Sequence, residues 1–379
     1  LITSTRQLWK AVYYCAKHRV VGVDTESNSF WAYQEKVCLI QLYAGDRTFL
    51  VDPLAMEDVA PLGHIFHDPG IVKIFHGADY DLRCLHRDFA LHPAPIFDTM
   101  IAAQLLDYPA LGLAALVKHH FGVELPKTNA LTRYDWSRRP LPDEHLEYSA
   151  NDVIYLPQLR ENLSDELCEK DLLEETEWEF RQLEQMISRN PPKADTEDFY
   201  SIKGARQMND KQRAVLRRLY EYRDKMARDK DVPHFKILSN TLLIGTARRC
   251  PHRMNSFKDI HKFPASLIRR HGRALLDMVK KGEDDYSRGD IPALPHRPPV
   301  RGPNVNSDLM VQLKEWRNKE AERREVAPLA VLPTSCLKDI ARASHLDTMT
   351  LSQIPGMIPS RLRRYGEKLL EMHQRAHEE

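Results

Sequence analysis

Apolar and polar positions in the first half of the chain fall into short blocks that switch between two periods. "VVGVDTE" (20–26), "KVCLIQLY" (36–43) and "RTFLVDP" (47–53) are rich in β-branched and aromatic residues and predict three strands. "AGD" (44–46) is a tight turn between the second and third, so these three form an antiparallel meander. A helix follows, then "IVKIFHG" (71–77) as a strand and "DYDLRCLHRDF" (79–89) as a helix. "APIFDT" (94–99) predicts a short strand whose Asp98 or Thr99 caps the helix "MIAAQLLDY". "LGLAALVKHHFG" (111–122) is helical, and "LPDEHLEYSANDVIYLPQLRENL" (141–163) predicts one long helix with Pro142 and acids in its first turn. The order βββαβαβα implies an α/β domain with a mixed sheet.

The second half repeats itself. "LYEYRDKMARDKDVPHFKIL" (219–238) lies over "LKEWRNKEAERREVAPLAVL" (313–332) with an offset of 94 and no gap. Leu243, Ala247 and Arg248 meet Leu337, Ala341 and Arg342, and "RRHGRALL" (269–276) meets "RRYGEKLL" (363–370). Two copies of one small all-α domain are therefore expected. Between them "RGDIPALPHRPPVRGPN" is a proline-rich linker, stiff and extended. The expected layout is an α/β domain over 1–165, an acidic helical connector over 166–205, the first copy over 206–286, a linker over 287–302 and the second copy over 303–379.

Of the 379 residues 42% are hydrophobic and 29% charged, ordinary for a globular protein. No apolar run approaches the ~20 residues that span a bilayer, and no basic-then-apolar leader opens the chain. Six scattered cysteines, none at CxxC spacing, argue against a zinc site and for reduced thiols in the cytoplasm. The net charge of +1 hides a gradient: residues 1–164 carry −5, 165–205 carry −7, 206–286 carry +10 and 300–379 carry +2. A basic module beside an acid-rich domain fits binding to a polyanion, although charge also varies along any long chain.

The first strand ends in Asp24 and Glu26. Residues i and i+2 of a strand project from one face, and two adjacent carboxylates repel unless protonated or bridged by cations. Asp81 near the start of a helix, and Tyr148 and Asp152 one turn apart on another, can join them. Four hard oxygen ligands suit Mg²⁺ or Mn²⁺, and a pair of such ions clamps the attacking and leaving oxygens of a phosphodiester displacement. Taken singly, each has a plainer reading: a strand end, a helix-start acid, an ordinary helix face.

"VDTES", "HGADYDLRCL", "FDTMIAAQLL" and "YSANDVIYL" resemble the motifs of the DEDD 3′→5′ exonucleases, an RNase H-like superfamily. Tyr148, four residues before Asp152, resembles the tyrosine subgroup, and "DWSRRPLPDEHLEYSANDVIYL" is similar to ribonuclease D and the related nuclear exosome subunit. Each repeat copy resembles the HRDC domain. The resemblance implies an RNase H-like catalytic domain followed by two HRDC-like domains, acting on RNA with a free 3′ end, for which tRNA precursors are the family's usual substrate. It implies two divalent ions, Mg²⁺ or Mn²⁺, one on Asp24, Glu26 and Asp152 and one on Asp24 with Asp81 helping through water. Tyr148 would position the attacking water. A Werner-type DNA exonuclease and a non-catalytic RNA-binding adaptor remain as alternatives, the intact acids arguing against the second.

Further residues are candidates for nucleic-acid contact. His76 lies beside Asp81; Phe30 and Trp31 follow the acids and offer rings to stack on a base, or pack in a core. Lys127, Arg133, Arg138 and Arg139 form a basic patch before the Tyr148 helix, set against a solvated loop. In the first copy Arg217, Arg218, Arg248, Arg249, Arg269 and Arg270 are the candidate RNA-binding residues, while the second copy is expected to pack against the catalytic domain. A monomer without a membrane partner is expected.

Overall fold

The computed structural model describes residues 1–126, 131, 133–189, 199–294 and 305–378. The chain divides into two compact units: Leu1–Ser27, Val37–Pro192 and Arg301–Glu379 make the first, Asn28–Lys36 and Lys193–Val300 the second. Residues 295–302 of the linker expected at 287–302, and part of the acidic connector, lie outside the described residues. Among those described, no helix is long and apolar enough to cross a membrane.

The first unit is built on a five-stranded sheet: β1 (Val20–Ser27), β2 (Val37–Ala44), β3 (Arg47–Val51), β4 (Val72–Phe75) and β5 (Ile96–Asp98), in the order β3-β2-β1-β4-β5. The predicted meander is present: β1 pairs antiparallel with β2 and β2 with β3, while β4 joins β1 in parallel and β5 joins β4 in parallel. β1 is thus the central strand, paired with β4 over Val20–Gly22 and with β2 over Gly22–Ser27. A helix that the sequence reading left out precedes it: α1 (Thr5–Cys15), capped by the Ser4 side chain and burying Leu8, Ala11, Val12 and Cys15 at helical spacing. After it come α2 (Gly63–Phe66), α3 (Asp79–Phe89), α4 (Thr99–Leu105) and α5 (Leu113–Phe121).

The long helix predicted over 141–163 is two helices. α6 (Asp143–Ile154) ends at Tyr155, and α7 (Leu156–Glu169) starts with Pro157 in its first turn. Proline has no N–H to donate to the carbonyl four residues back, and its ring would clash with it. That carbonyl, of Val153, faces Gly22 on β1, where a Cβ would stand 2.9 Å from its oxygen. The bare Cα of Gly22 therefore lets the central strand close on the helix break. Pro142 precedes α6 as its N-cap residue.

α8 (Leu173–Arg189) completes the connector in this unit, and the second HRDC-like copy packs on the same body. One apolar core runs from Val21, Ile40 and Ile74 in the sheet to Leu313, Leu337 and Leu369 of the copy. The Ala327 N–H donates to the Leu105 carbonyl at 3.0 Å. Arg364 reaches Asp171 and, at 2.5 Å, the fully buried Glu175, while Arg363 pairs with Glu174 at 3.2 Å.

The second unit is built on α9 (Asp210–Asp229), α10 (Asn240–Arg249) and α11 (Ala265–Ser287), with Leu216, Leu219, Leu243, Phe257 and Val279 in its core. The copy in the first unit has α12 (Ser307–Arg324), α13 (Thr334–Arg342) and α14 (Pro359–Glu378) at the matching places. The offset of 94 is visible in the hydrogen bonds. Arg223 donates to the Leu238 carbonyl at 3.4 Å and to Asn240 Oδ1 at 2.5 Å; Arg317 donates to the Leu332 carbonyl and to Thr334 Oγ1, both at 3.1 Å.

Asp285 on α11 is wholly buried and accepts from Arg217 at 2.9 Å, Arg218 at 2.6 Å and Arg288 at 2.7 Å. These guanidiniums, Arg218 foremost, hold its carboxyl well below the usual range. A depressed folded-state value gives stability that is full above the unfolded carboxyl's pKa and is lost as the pH falls through the folded one. Asp285→Asn should therefore cost roughly 2–3 kcal/mol at neutral pH, because the guanidiniums lose their shared anion. Urea unfolding of wild type and variant across pH checks this. Their difference should hold steady above about pH 5 and shrink below about pH 4.

Candidate active site

Asp24 and Glu26 leave the same face of β1, opposite Gln41 and Leu39 of β2. Asp152 arrives from α6, and one carboxylate oxygen from each of Asp24, Glu26 and Asp152 lies within 4.8 Å of the other two. Tyr148, one turn before Asp152, packs beside the buried Trp136 and Leu39. Asp81, in the first turn of α3, is buried and accepts a hydrogen bond of 2.5 Å from the Thr25 hydroxyl, the residue between the two strand acids. The structure therefore brings four of the five predicted positions onto the end of one strand, with Asp81 just outside the converging trio.

The loop that carries His76 and leads into α3 is fastened by Asp98. Its buried carboxylate accepts from the N–H groups of Gly77 (3.0 Å), Ala78 (2.8 Å), Met100 (2.8 Å) and Ile101 (3.2 Å). Asp98 is thus a helix cap that also ties down the adjacent loop, and it is not a member of the acidic trio. Thr99 donates to the Phe75 carbonyl at 3.0 Å and bonds His76 Nδ1 at 2.9 Å.

The electrostatics are those of crowded anions. Burial first, then the charges of Asp81, Asp152 and Glu26, push the Asp24 carboxyl well above its ordinary value. Glu26 is raised for the same reasons, burial leading. Burial lifts Asp81 to about 7 against the opposing Thr25 hydrogen bond. Tyr148 is raised as well, by burial and then by Asp152, Glu26 and Asp24, so its hydroxyl keeps its proton. Asp24, Glu26, Tyr148 and Asp152 line a cavity of about 360 Å³, with His76 and the apolar Leu113, Leu125 and Pro126 completing the wall. The apolar wall comes from the α5 region and carries no motif that marks it in the sequence.

The remaining candidates lie elsewhere. Phe30 and Trp31 belong to the second unit, Phe30 with its ring 6.0 Å from Phe235 and Trp31 with Lys236 Nζ 3.9 Å over its ring. Lys127 lies outside the described residues; Arg133 and Arg138 are exposed, Arg138 beside Asp135 at 3.4 Å. Arg139 is turned inward: it grips both oxygens of buried Asp52 at 2.6 and 2.7 Å and donates to the Cys38, Trp136 and Arg138 carbonyls. Arg217 and Arg218 are likewise engaged with Asp285. Arg248, Arg249, Arg269 and Arg270 are exposed, Arg249 within 3.2 Å of Asp259.

Residues 1–168 match the 3′–5′ exonuclease family, and residues 212–279 and 306–372 each match the HRDC domain. Fold and site together define a 3′–5′ exonuclease carrying two HRDC domains. Ribonuclease D of Jannaschia sp. (strain CCS1) is 30% identical over 355 residues, covering 90% of this chain and 88% of that protein. Ribonuclease D of Escherichia coli (strain K12) is 31% identical over 264 residues, 69% of each chain. The crystal structure of Escherichia coli RNase D, an exoribonuclease involved in structured RNA processing, superposes with a TM-score of 0.69 at 25% identity, covering 99% of this chain and 98% of that one. The catalytic core of RRP6 from Trypanosoma brucei gives 0.59 at 27% identity, covering 75% and 79%. The chain belongs to the ribonuclease D family and is a 3′–5′ exoribonuclease.

The placement of Arg139 yields a prediction. Arg139→Ala leaves the buried Asp52 carboxylate without its cation and should cost about 3 kcal/mol of stability. A residue that touches phosphate would instead lower the salt dependence of RNA binding. Chemical unfolding and salt-titrated RNA affinity on the same variant separate the two, and the expected result is reduced stability with an unchanged salt slope.

Proposed function

We propose that this exoribonuclease hydrolyses RNA one nucleotide at a time from the 3′ end, releases nucleoside 5′-monophosphates, and acts on structured RNAs such as tRNA precursors. The convergence of the Asp24, Glu26 and Asp152 oxygens within 4.8 Å of one another carries this reading. Three crowded acids, two of them pushed toward protonation by burial and repulsion, form a site that a divalent cation relieves. The donor set is all hard oxygen, which fits Mg²⁺ or Mn²⁺. Asp24, Glu26 and Asp152 would hold one ion, and Asp24 with Asp81 a second. Bound there, the ions would make water a competent nucleophile near neutral pH and offset the charge that builds on the phosphate.

The chain's own groups do the rest. Tyr148 remains protonated, so its hydroxyl orients the attacking water by hydrogen bonding and does not accept its proton. Leu113, Leu125 and Pro126 offer apolar contact to a terminal base, and the cavity of about 360 Å³ falls in the range of small-ligand sites. His76, held by Thr99, stands on the same wall as a contact for the terminal nucleotide. The structured-RNA assignment is supported by the Escherichia coli relative, an exoribonuclease involved in structured RNA processing.

The first HRDC copy is the main RNA-binding module in this reading. Arg217 and Arg218 are spent on Asp285, so the role falls to the exposed Arg248 and Arg249 at the end of α10, joined by Lys203 and Arg206. Gly204, at φ +98°, lets the Arg248 guanidinium lie close over its bare Cα.

Two outcomes are expected. Asp24→Asn and Asp152→Asn should each abolish hydrolysis with RNA binding kept, and Tyr148→Phe should lower kcat about 10²-fold at unchanged KM. Single-turnover assays with added Mg²⁺ or Mn²⁺ check both; residual activity above a few per cent in either Asp variant would sink the metal-site reading. Arg248→Ala with Arg249→Ala should weaken RNA binding and flatten its dependence on salt by about one unit per lost phosphate contact. Arg217→Ala should leave that slope unchanged.

A further inference from the structure

The two HRDC copies carry one feature in duplicate, and the structure reveals its use in only one of them. In the second copy the start of α14 grips an acidic helix start. Ser360 takes Glu174 on its backbone N–H at 3.0 Å and gives its hydroxyl to Glu175 at 2.9 Å. Arg363 pairs with Glu174, and Arg364 with Glu175 and Asp171. Arg324, at the end of α12, donates to the Lys170 carbonyl at 2.8 Å and to the Tyr365 hydroxyl at 2.6 Å. The bound element is the chain's own connector, with acids at positions i, i+3 and i+4 of a helix start.

Shifted by 94, Ser360, Arg363 and Arg364 become Ser266, Arg269 and Arg270, and Arg324 becomes Lys230. All four are exposed. The local frame is kept: Ser266 is the second residue of α11, where backbone N–H groups have no partner within the helix. His271 takes the place of Tyr365, bonding Tyr222 at 2.8 Å where Tyr365 packs on Trp316 at 5.4 Å. Lys230 and Arg270 both act on the His271 ring, as expected if they flank it like Arg324 and Arg364 flank Tyr365. The first copy therefore retains the cations, the hydroxyl and the helix start that hold three carboxylates in the second.

We propose that this face of the first copy is a docking site for the acidic start of a helix supplied by a protein partner. The occupant is argued from charge complementarity and from the carboxylates seated on the matching face of the second copy. One difference refines it. Gly356 and Arg361 of the second copy pack on Trp178, at 3.4 Å from a Cβ on Gly356 and 5.4 Å from the Arg361 guanidinium to the ring. The first copy has Lys262 and Leu267 there. A lysine fills the space used by the indole and adds a positive charge, so the partner should carry Asp or Glu where the connector carries Trp178.

The probe is a fluorescent, N-acetylated peptide covering residues 170–186 with Trp178→Glu, titrated into the full chain by anisotropy. It should bind, and Arg269→Glu with Arg270→Glu should weaken it at least tenfold, whereas Arg269→Lys with Arg270→Lys should keep most of the affinity. The same peptide with Trp178 retained should bind more weakly than the Glu form. Peptide binding that ignores the Arg269→Glu, Arg270→Glu change overturns the proposal. So does absence of peptide binding together with a tenfold loss of RNA affinity in that variant, which would make the face a nucleic-acid site.

Discussion

Repulsion between carboxylates at the end of β1 is the constraint that the catalytic half is organised around. Left to itself, a pair such as Asp24 and Glu26 would turn to water, and here Asp152 and Asp81 are added to them. The fold resists this by holding the four acids from three elements, β1, α3 and α6. β1 is central, paired with β4 at its start, and its acid-bearing end is held along β2. α3 is anchored through the N–H groups of Gly77 and Ala78, which Asp98 gathers while capping its own helix, and Thr25 spends its hydroxyl on Asp81. α6 is fixed by the break at Pro157 and by the close approach that Gly22 permits. Local stability is traded for a concentrated negative field, as is common where function needs strain.

The same charges appear in the connector with the opposite outcome. Asp171, Glu174 and Glu175 would be a second anionic cluster, but arginines from α14 meet them directly. Glu175 is fully buried with Arg364 and Ser360 both bonding its Oε1, the arginine supplying the countercharge. The acidic connector noted from composition is therefore a docking strip for the chain's own C-terminal domain. Asp285 in the first copy repeats this logic with the signs exchanged, one buried acid holding together three arginines.

Much of this architecture is legible in the sequence because its signals are local. Strand alternation, the turn at 44–46, the cap at Asp98 and the i, i+4 pair of Tyr148 and Asp152 are each read within a short window, and the offset of 94 by laying two such windows over each other. What escapes is long-range or depends on competition between rules. α1 carries its apolar residues at 8, 11, 12 and 15, a helical spacing that stands outside every motif. Pro157 sits inside a strongly helical pattern, and the absence of its N–H overrides the periodicity around it. Arg139 finds Asp52 across 87 positions and Arg217 finds Asp285 across 68, so neither pairing can be inferred from neighbours. A segment's net charge already subtracts such acids, but it does not show which arginines they hold and which are left to face solvent.

Duplication sharpens this point. Arg269 and Arg363 stand at the same position of the same small fold, and propensity, capping and core packing treat them alike. Only the company differs: acids of the connector reach Arg363, while Arg269 stays exposed. The structural role of such an arginine is thus set by what the rest of the chain brings to it. The conserved internal pair, Arg223 and Arg317, shows the converse, since both bond a carbonyl and a helix start within their own copy and keep the same partners through the repeat. Positions whose partners lie inside the repeat are preserved by the fold itself. Those whose partners lie outside can keep their identity, as Arg269 and Arg363 do, and still differ in what they hold.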